Sequence, residues 1–267
     1  MKKRADYGDC LEVLLSAIYH RVVRAGDTVI DGGANGGLHA IPLGQLVGPN
    51  GRVYAYEPLP HEFNLLRKWV NYLKFSGRMT LRNVAIGKED SSTIFYEHKQ
   101  NNALSSIVRN DSDYDKWKET STNIVKLDDE GIDSCRFIKL DLEGGERDAI
   151  FGGQEIFNRC RPIVAFENGF DWSAKRFDYD VVELFDFFVQ LDYVIYDFSG
   201  EKATMDSFSR GLLVWELIAL PREHKSMEVV LKMIHLFNQR LDELRPAESW
   251  EAVMSRVQNP FSTEIWA

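Results

Sequence analysis

Short runs rich in β-branched and aromatic residues alternate along the chain with longer stretches in which apolar residues recur every three or four positions. Interleaving a period of two with a period of 3.6 predicts strands alternating with helices, and hence a mainly parallel sheet covered on both faces. Segments 28–31, 52–57, 79–86, 136–141, 162–168, 193–198 and 212–220 read as seven main strands of a doubly wound sheet, the last two as a hairpin-like pair that supplies an antiparallel edge strand. Segments 37–47, 60–73 and 181–191 carry helical periodicity, and in the second of these Phe63, Leu66, Trp69, Val70 and Leu73 share the face expected to pack on the sheet.

Elsewhere the rhythm changes. Residues 9–24 read as an amphipathic N-terminal helix; 92–98 looks like an edge strand, and 100–122 is polar and turn-rich, a loop expected to be mobile, before 123–127 resumes strand character. Residues 226–257 read as two helices with a stripe of Val229, Val230, Met233, Ile234 and Phe237. The simplest parse is one domain over 1–220 with a C-terminal helical appendage over 221–267 packed on it.

Composition narrows the class. The chain has 267 residues, 44% of them apolar, enough for a substantial core. A net charge of -9 opposes long-range attraction to phosphate backbones and anionic membranes, so nucleic acid is not an expected partner. Cys10, Cys135 and Cys160 give neither an even count nor a metal spacing, which suits a reducing, cytoplasmic location. No run of about 18 apolar residues is present to span a bilayer.

The candidate chemistry starts at VIDGGANGG, residues 29–37, where a strand drives into an acid and a glycine-rich turn. At the carboxyl end of a parallel strand such a turn brings backbone close to a ligand. Gly32, Gly33, Gly36 and Gly37 permit the bend, and Asn35 tolerates left-handed angles. No GxxxxGK[ST] is present, and Ala34 stands at the second glycine of GxGxxG, which counts against a nicotinamide-dependent oxidoreductase. Asp31 would oppose a pyrophosphate but favour a cationic ligand such as S-adenosylmethionine, and Glu57, ending the next strand, suits its ribose hydroxyls.

Several blocks, VIDGGANGG, GRVYAYEPLPHEFNLLRKWVNYL, NVAIG, NNALSSIV, VKLDDEG, FIKLDLEGGERDAIFGG and RPIVAFEN, together resemble the FkbM-type S-adenosylmethionine-dependent methyltransferases over roughly residues 27–168. The resemblance implies a class I, Rossmann-like methyltransferase fold and methyl transfer, usually to a hydroxyl of a sugar, glycan or natural product. It places Asp31, Gly32, Gly33, Ala34, Asn35 and Gly36 around the methionine portion, Glu57 and Pro58 at the ribose, Asn83 and Ala85 beside the adenine, and Asp141 facing cofactor and acceptor. The C-terminal 45 or so residues carry no family signature, and His39 follows Leu38 where an aromatic is common in the family.

A sugar hydroxyl is a weak nucleophile and gains from a base or a metal. Asp141, Glu143 and Glu167 fall at the ends of strands expected to be neighbours. One of them, Asp141 first and Glu167 second, would serve as base, or the oxygens would gather a magnesium-like divalent cation. Glu146 is expected to serve the helix N-terminus instead. Lys139, in a buried strand, fits an ion pair and an active-site role equally. His39 and His98 are reserve bases; Ser105 and Ser106 could meet a glycan; Tyr114, Trp117, Phe170 and Trp172 could stack on a sugar. A non-catalytic S-adenosylmethionine-binding protein stays open, as does the choice between monomer and homo-oligomer.

Overall fold

The structure, a computed structural model, describes residues 10–100, 105–109 and 116–244. Tyr114 and the second of the two expected C-terminal helices lie outside them. The chain opens with α1 (Cys10–Val22), β1 (Thr28–Gly32), α2 (Ala40–Val47), β2 (Arg52–Tyr56), α3 (Pro60–Tyr72) and β3 (Met79–Arg82). Then come β4 (Ala85–Gly87), β5 (Ser91–His98), β6 (Trp117–Lys126), β7 (Phe137–Leu140), α4 (Glu146–Phe151), α5 (Gln154–Cys160) and β8 (Ile163–Glu167). The last part is α6 (Asp171–Phe177), α7 (Val181–Gln190), β9 (Tyr193–Asp197), α8 (Met205–Ser209), β10 (Glu216–Pro221) and α9 (Met227–Leu244).

Seven strands form the main sheet in the order β3-β2-β1-β7-β8-β10-β9. Pairing is parallel throughout except at β10, which runs antiparallel to both β8 and β9. The antiparallel strand expected at the edge therefore lies one place in, because the chain crosses to β9 first and returns through β10 into the gap beside β8. Strands buried on both faces are near-continuously apolar: all four residues of β7 are buried, and Val29 and Ile30 of β1 are fully enclosed.

Two apolar layers cover the sheet. One joins α1, α2, α3 and α9, with Leu14, Ile18, Leu43, Leu66 and Ile234 among its fully or almost fully buried members. The other joins α4 to α8 and is rich in phenylalanine. Helix α9 delivers Val230, Ile234 and Phe237 into the first layer against α1; Met233 is buried too, while Val229 of the same expected stripe stays exposed. Caps fix the short helices: Asp180 and Glu183 form a reciprocal capping box on α7, and Thr204 caps α8.

Four local expectations are corrected. The run 79–86 is not one strand: it breaks at Asn83, whose Nδ2 donates to the carbonyls of Glu57 (2.8 Å) and Pro58 (3.0 Å), so β3 stays in the main sheet and β4 leaves it. The polar stretch expected to be a loop ends sooner, because Trp117–Lys126 is a ten-residue strand paired with β5 from Trp117 to Ile124 and with β4 at its end. Together β4, β6 and β5 make a second, three-stranded sheet. On α3 the buried face is Leu66 and Val70, whereas Trp69 and Leu73 are exposed, with Trp69 packing edge-on against Tyr72 at 6.1 Å. Finally, 212–215 precedes rather than belongs to β10; Val214 N is taken by the buried Asp197 carboxylate at 3.0 Å.

The chain winds from β1 outward to β3, then returns to the other side of β1 as β7. That reversal opens a crevice beyond the carboxyl ends of β1 and β7, the place where open α/β sheets bind ligands.

Phe157 is fully buried, with its ring 5.5 Å from Phe187, 5.9 Å from Phe188 and 6.4 Å from Tyr193. Phe157→Ala should therefore cost roughly 3–5 kcal/mol of stability, read as a lowered urea midpoint with an unchanged slope.

Candidate active site

The glycine turn is built by hydrogen bonds to the tip of β2. Gly33 N and Ala34 N both donate to the Tyr56 carbonyl, at 3.0 and 2.9 Å, and Asn35 N donates to Glu57 Oε2 at 2.8 Å. Asn35 has φ 47°, the left-handed angle that the residue type tolerates, and its Oδ1 accepts from Gly36 N. Gly33, at φ 71°, is obligatory for space as well: a Cβ there would meet the Asp141 carbonyl oxygen at 1.9 Å.

Glu57 is buried, and both of its oxygens are used, Oε2 by Asn35 N and Oε1 by Leu59 N at 2.7 Å. Burial pushes its carboxyl up to about 7, although those two N–H donors pull the other way. One carboxylate thus joins the glycine turn to the start of α3. Its oxygens still have lone pairs for further donors, because each carboxylate oxygen accepts more than one hydrogen bond.

Asp31 and Lys139 are register partners across β1 and β7. Lys139 Nζ donates to the Gly33 carbonyl at 3.0 Å and stands 3.5 Å from Asp31 Oδ1 and 3.6 Å from Asp141 Oδ2. Burial alone would lower this ammonium, but Asp31 and Asp141 outweigh it and hold the lysine above its ordinary value. Burial also drives Asp31 toward protonation; the three oxygens around the ammonium decide for the ion pair. Asp31 is wholly enclosed, accepts no hydrogen bond closer than this contact among the described residues, and is in the lining of neither cavity beside it.

Two cavities meet at Asp141. The first, about 750 Å³ with its open mouth included, is lined by Gly33, Asn35, Glu57, Pro58, Asp141 and Glu143, and by an apolar wall of Val84, Ala85, Ile86, Phe95 and Ile107 from the small sheet and its loop. The second, about 420 Å³, lies between α1 and the ends of β7, β8 and β10; Leu11, Glu12, Lys139, Asp141, Glu167 and Glu216 contribute to it. Asp141, Glu143 and Glu167 converge as the sequence suggested, each with an oxygen within 4.8 Å of the others. An all-oxygen set of this kind suits a hard divalent cation.

The remaining expected residues divide. Ser105 lines the first cavity and its Oγ accepts from His98 N at 3.0 Å; Ser106 is locked to Tyr96 by two backbone hydrogen bonds, and its Oγ donates to the Glu143 carbonyl at 3.2 Å. Neither is a loose polar contact. Glu146 is buried beneath the loop, where Oε1 accepts from Leu142 N at 2.5 Å and Oε2 from Gly144 N at 3.1 Å, and burial raises its carboxyl to about 8. Asn83 holds the loop after β2 and is absent from the cavity wall.

His39 lines neither cavity. It is buried under α1, with Nε2 2.6 Å from Glu12 Oε2 and its ring edge-on to Tyr19 at 5.8 Å. His98 packs on Trp117 at 4.9 Å. Trp172 carries the Arg176 guanidinium 4.1 Å from its centre and stacks on Trp215 at 5.8 Å, and Phe170 is buried against Phe208, so neither ring is a ready sugar platform.

Sequence reasoning missed Glu12, Glu216 and Arg176. Glu216 lies directly opposite Glu167 in the antiparallel ladder, a register that sequence spacing alone does not disclose. Arg176 donates to the carbonyls of Glu143 and Val108, tying the loop after β7 to segment 105–109. In the sequence it stands beside Lys175 in a stretch with no strand or helix reading, so nothing singled it out.

Comparison with known proteins bears on this site. The family described as the Methyltransferase FkbM domain matches residues 31–195, more than half of the chain. Among solved structures, a methyltransferase FkbM from Methylobacillus flagellatus is 16% identical, with 80% of this chain and 60% of that one covered at a TM-score of 0.49. The chain thus spans 60% of that protein's length. An S-adenosylmethionine-dependent O-methyltransferase from Thermotoga maritima is 14% identical, with 80% and 67% covered and a TM-score of 0.42. No curated protein matches the sequence. The structural overlaps are loose, and the family match is what identifies the chain.

Gly33→Ala forces both a strained φ and a clash with the Asp141 carbonyl. It should cost upwards of about 1–3 kcal/mol of stability and open the contact between the β1 and β7 tips, visible as a lowered melting temperature and faster amide exchange at Asp141.

Proposed function

The chain belongs to the FkbM methyltransferase family, which depends on S-adenosylmethionine, and on that footing we propose that it methylates a hydroxyl oxygen of a sugar, glycan or other natural product. The observation that carries the reading is the junction of two cavities at one carboxylate, Asp141. The first cavity takes the cofactor, the second the acceptor.

The lining of the first cavity suits the cofactor part by part. Glu57 would accept hydrogen bonds from the ribose hydroxyls while keeping its grip on Asn35 N and Leu59 N. Val84, Ala85, Ile86 and Phe95 form an apolar slot for a flat base. The backbone at Gly33 and Asn35, with Asp141 across from it, would hold the methionine end. Asp31 acts one layer back: it anchors Lys139, which positions Asp141 and the Gly33 carbonyl. Bound there, S-adenosylmethionine supplies an electrophilic methyl on sulfur.

Displacement at carbon needs the attacking oxygen in line at about 3 Å, so holding the acceptor is most of the work. In the second cavity Leu11, Leu15 and Leu217 exclude water, and Glu12, Glu167 and Glu216 offer acceptors for hydroxyl protons. Asp141 takes the proton from the reacting hydroxyl, with Glu167 its nearest substitute. A second reading rests on the same convergence: Asp141, Glu143 and Glu167 would hold a divalent cation, which would supply Lewis acidity to lower the hydroxyl's pKa. Loss of turnover on chelation, restored by magnesium, selects it.

Calorimetric titration should show binding of S-adenosylmethionine and of its demethylated product. Asp141→Asn should keep that binding and lower turnover by roughly 10²–10⁴-fold. Retained turnover in Asp141→Asn removes the base assignment, and binding without transfer to any hydroxyl in a broad glycan and natural-product screen marks a non-catalytic binding protein instead.

Glu57 supplies a pH signature. Its carboxyl, raised to about 7, must be ionised to accept from the ribose, so cofactor affinity should rise with pH through about 7 and binding should release protons below it. Titrations in buffers of different ionisation enthalpy should show that release in the wild type and not in Glu57→Gln. For the free protein the sign reverses: the stability associated with a protonated Glu57 is present below the ordinary carboxylate range and lost as pH rises through about 7.

A further inference from the structure

A third cleft opens at the opposite end of the sheet, where β1 and β7 begin and β10 ends. Arg21 and Arg24 from the foot of α1, Arg136 just before β7, and His224, Lys225 and Ser226 ahead of α9 line it, around about 840 Å³ that includes its open mouth. Four permanent cations therefore share one concavity on a chain whose net charge is -9.

Acids lie beside them, but none forms an ion pair with the four among the described residues: the Asp27 carboxylate accepts from Arg24 N at 2.8 Å. Glu223, the acid in the lining, is held by Arg161 from outside it, with Nε 2.8 Å from Oε1 and NH2 2.9 Å from Oε2. That fork, joined by a backbone N–H, keeps the Glu223 carboxyl down at about 2. Arg136 spends Nε on the Val22 carbonyl at 3.2 Å, which caps α1, and reaches Ser226 Oγ with NH2 at 3.4 Å. That single contact meets the need of the α1 carboxyl end for a cation. Arg21, Arg24 and Lys225 are surplus to it, all three exposed and without an ion pair among the described residues.

Uncharged donors complete the lining. His224 Nδ1 accepts from Ser226 N at 3.1 Å, which puts the ring proton on Nε2; burial, and then Arg136, hold the imidazole below its ordinary pKa, so it is a neutral donor at neutral pH. Helix α9, eighteen residues long, starts at the cleft, with Ser226 before it and Val229 in its first turn both in the lining, and a helix N-terminus adds positive potential.

We propose that this cleft binds a small oligoanion, a ligand that presents two adjacent phosphates. Three arginines match phosphate oxygens in geometry as well as charge, and four cations exceed what a single carboxylate would use. The overall charge of -9 opposes an extended polyanion, so a compact ligand is favoured over nucleic acid or a membrane surface. The site is remote from the two cavities at the other end of the strands and does not depend on the methyl-transfer reading.

The test is calorimetric titration of the full chain with inorganic pyrophosphate at about 50 mM salt, where screening is weak. Saturable binding is expected, weakened at least about tenfold by the double variant Arg21→Glu, Lys225→Glu and also by Arg24→Glu. All three side chains are exposed, so melting temperature should fall by no more than a few degrees, the cost of an acid in the last turn of α1, and binding of S-adenosylmethionine should be unchanged, which separates loss of this site from loss of the fold or of the cofactor site. No saturable heat with the wild type, or equal binding by the reversed variants, overturns the proposal. Sedimentation with phosphatidylglycerol vesicles but no response to pyrophosphate overturns it too, in favour of a membrane contact.

Discussion

One buried ammonium holds the working end of this molecule together. Lys139 Nζ lies within 3.6 Å of oxygens from Gly33, Asp31 and Asp141, which belong to the glycine turn, the tip of β1 and the tip of β7. A charge in such a place is costly to desolvate, and the contacts offset that cost only while all three partners stay put. The gap between β1 and β7 is where the sheet reverses its winding, and with it the crevice is given a fixed width. Glu57 does the same for the neighbouring gap by binding Asn35 N and Leu59 N at once.

Around these two fixed points the walls are assembled from distant parts of the chain. The small sheet leaves the main one at Asn83 and returns an apolar wall, Ala85, Ile86 and Phe95, to the first cavity. Segment 105–109 is pinned to the loop after β7 through Ser106 and Arg176, both bonded to the Glu143 carbonyl. Glu146, buried under that loop with its oxygens on Leu142 N and Gly144 N, fixes the backbone on which Asp141 and Glu143 stand. Helix α1 closes the second cavity with Leu11, Glu12 and Leu15.

The two ends of the sheet differ in charge. Carboxylates gather beyond the carboxyl ends of β7 and β8, with Lys139 already committed among them, whereas Arg21, Arg24, Arg136 and Lys225 gather at the far end. In a chain that is acidic overall, this separation sets up a local field at each end that the net charge alone conceals.

Sequence by itself determined the strand and helix rhythm, the parallel sheet, the glycine turn with its left-handed Asn35, and the acids at the strand tips, because periodicity and backbone geometry are local properties. It also supplied the family, since those motifs are contiguous. Only the tertiary structure decided that Asp31 faces Lys139 rather than either of the two cavities at Asp141, that His39 belongs to Glu12 under α1, that Trp69 of α3 faces solvent, and that Glu216 stands opposite Glu167. Each of these depends on register or on which element covers which face. Such facts are set by pairing between segments far apart in the chain, where a shift of one residue turns a side chain to the other side of the sheet.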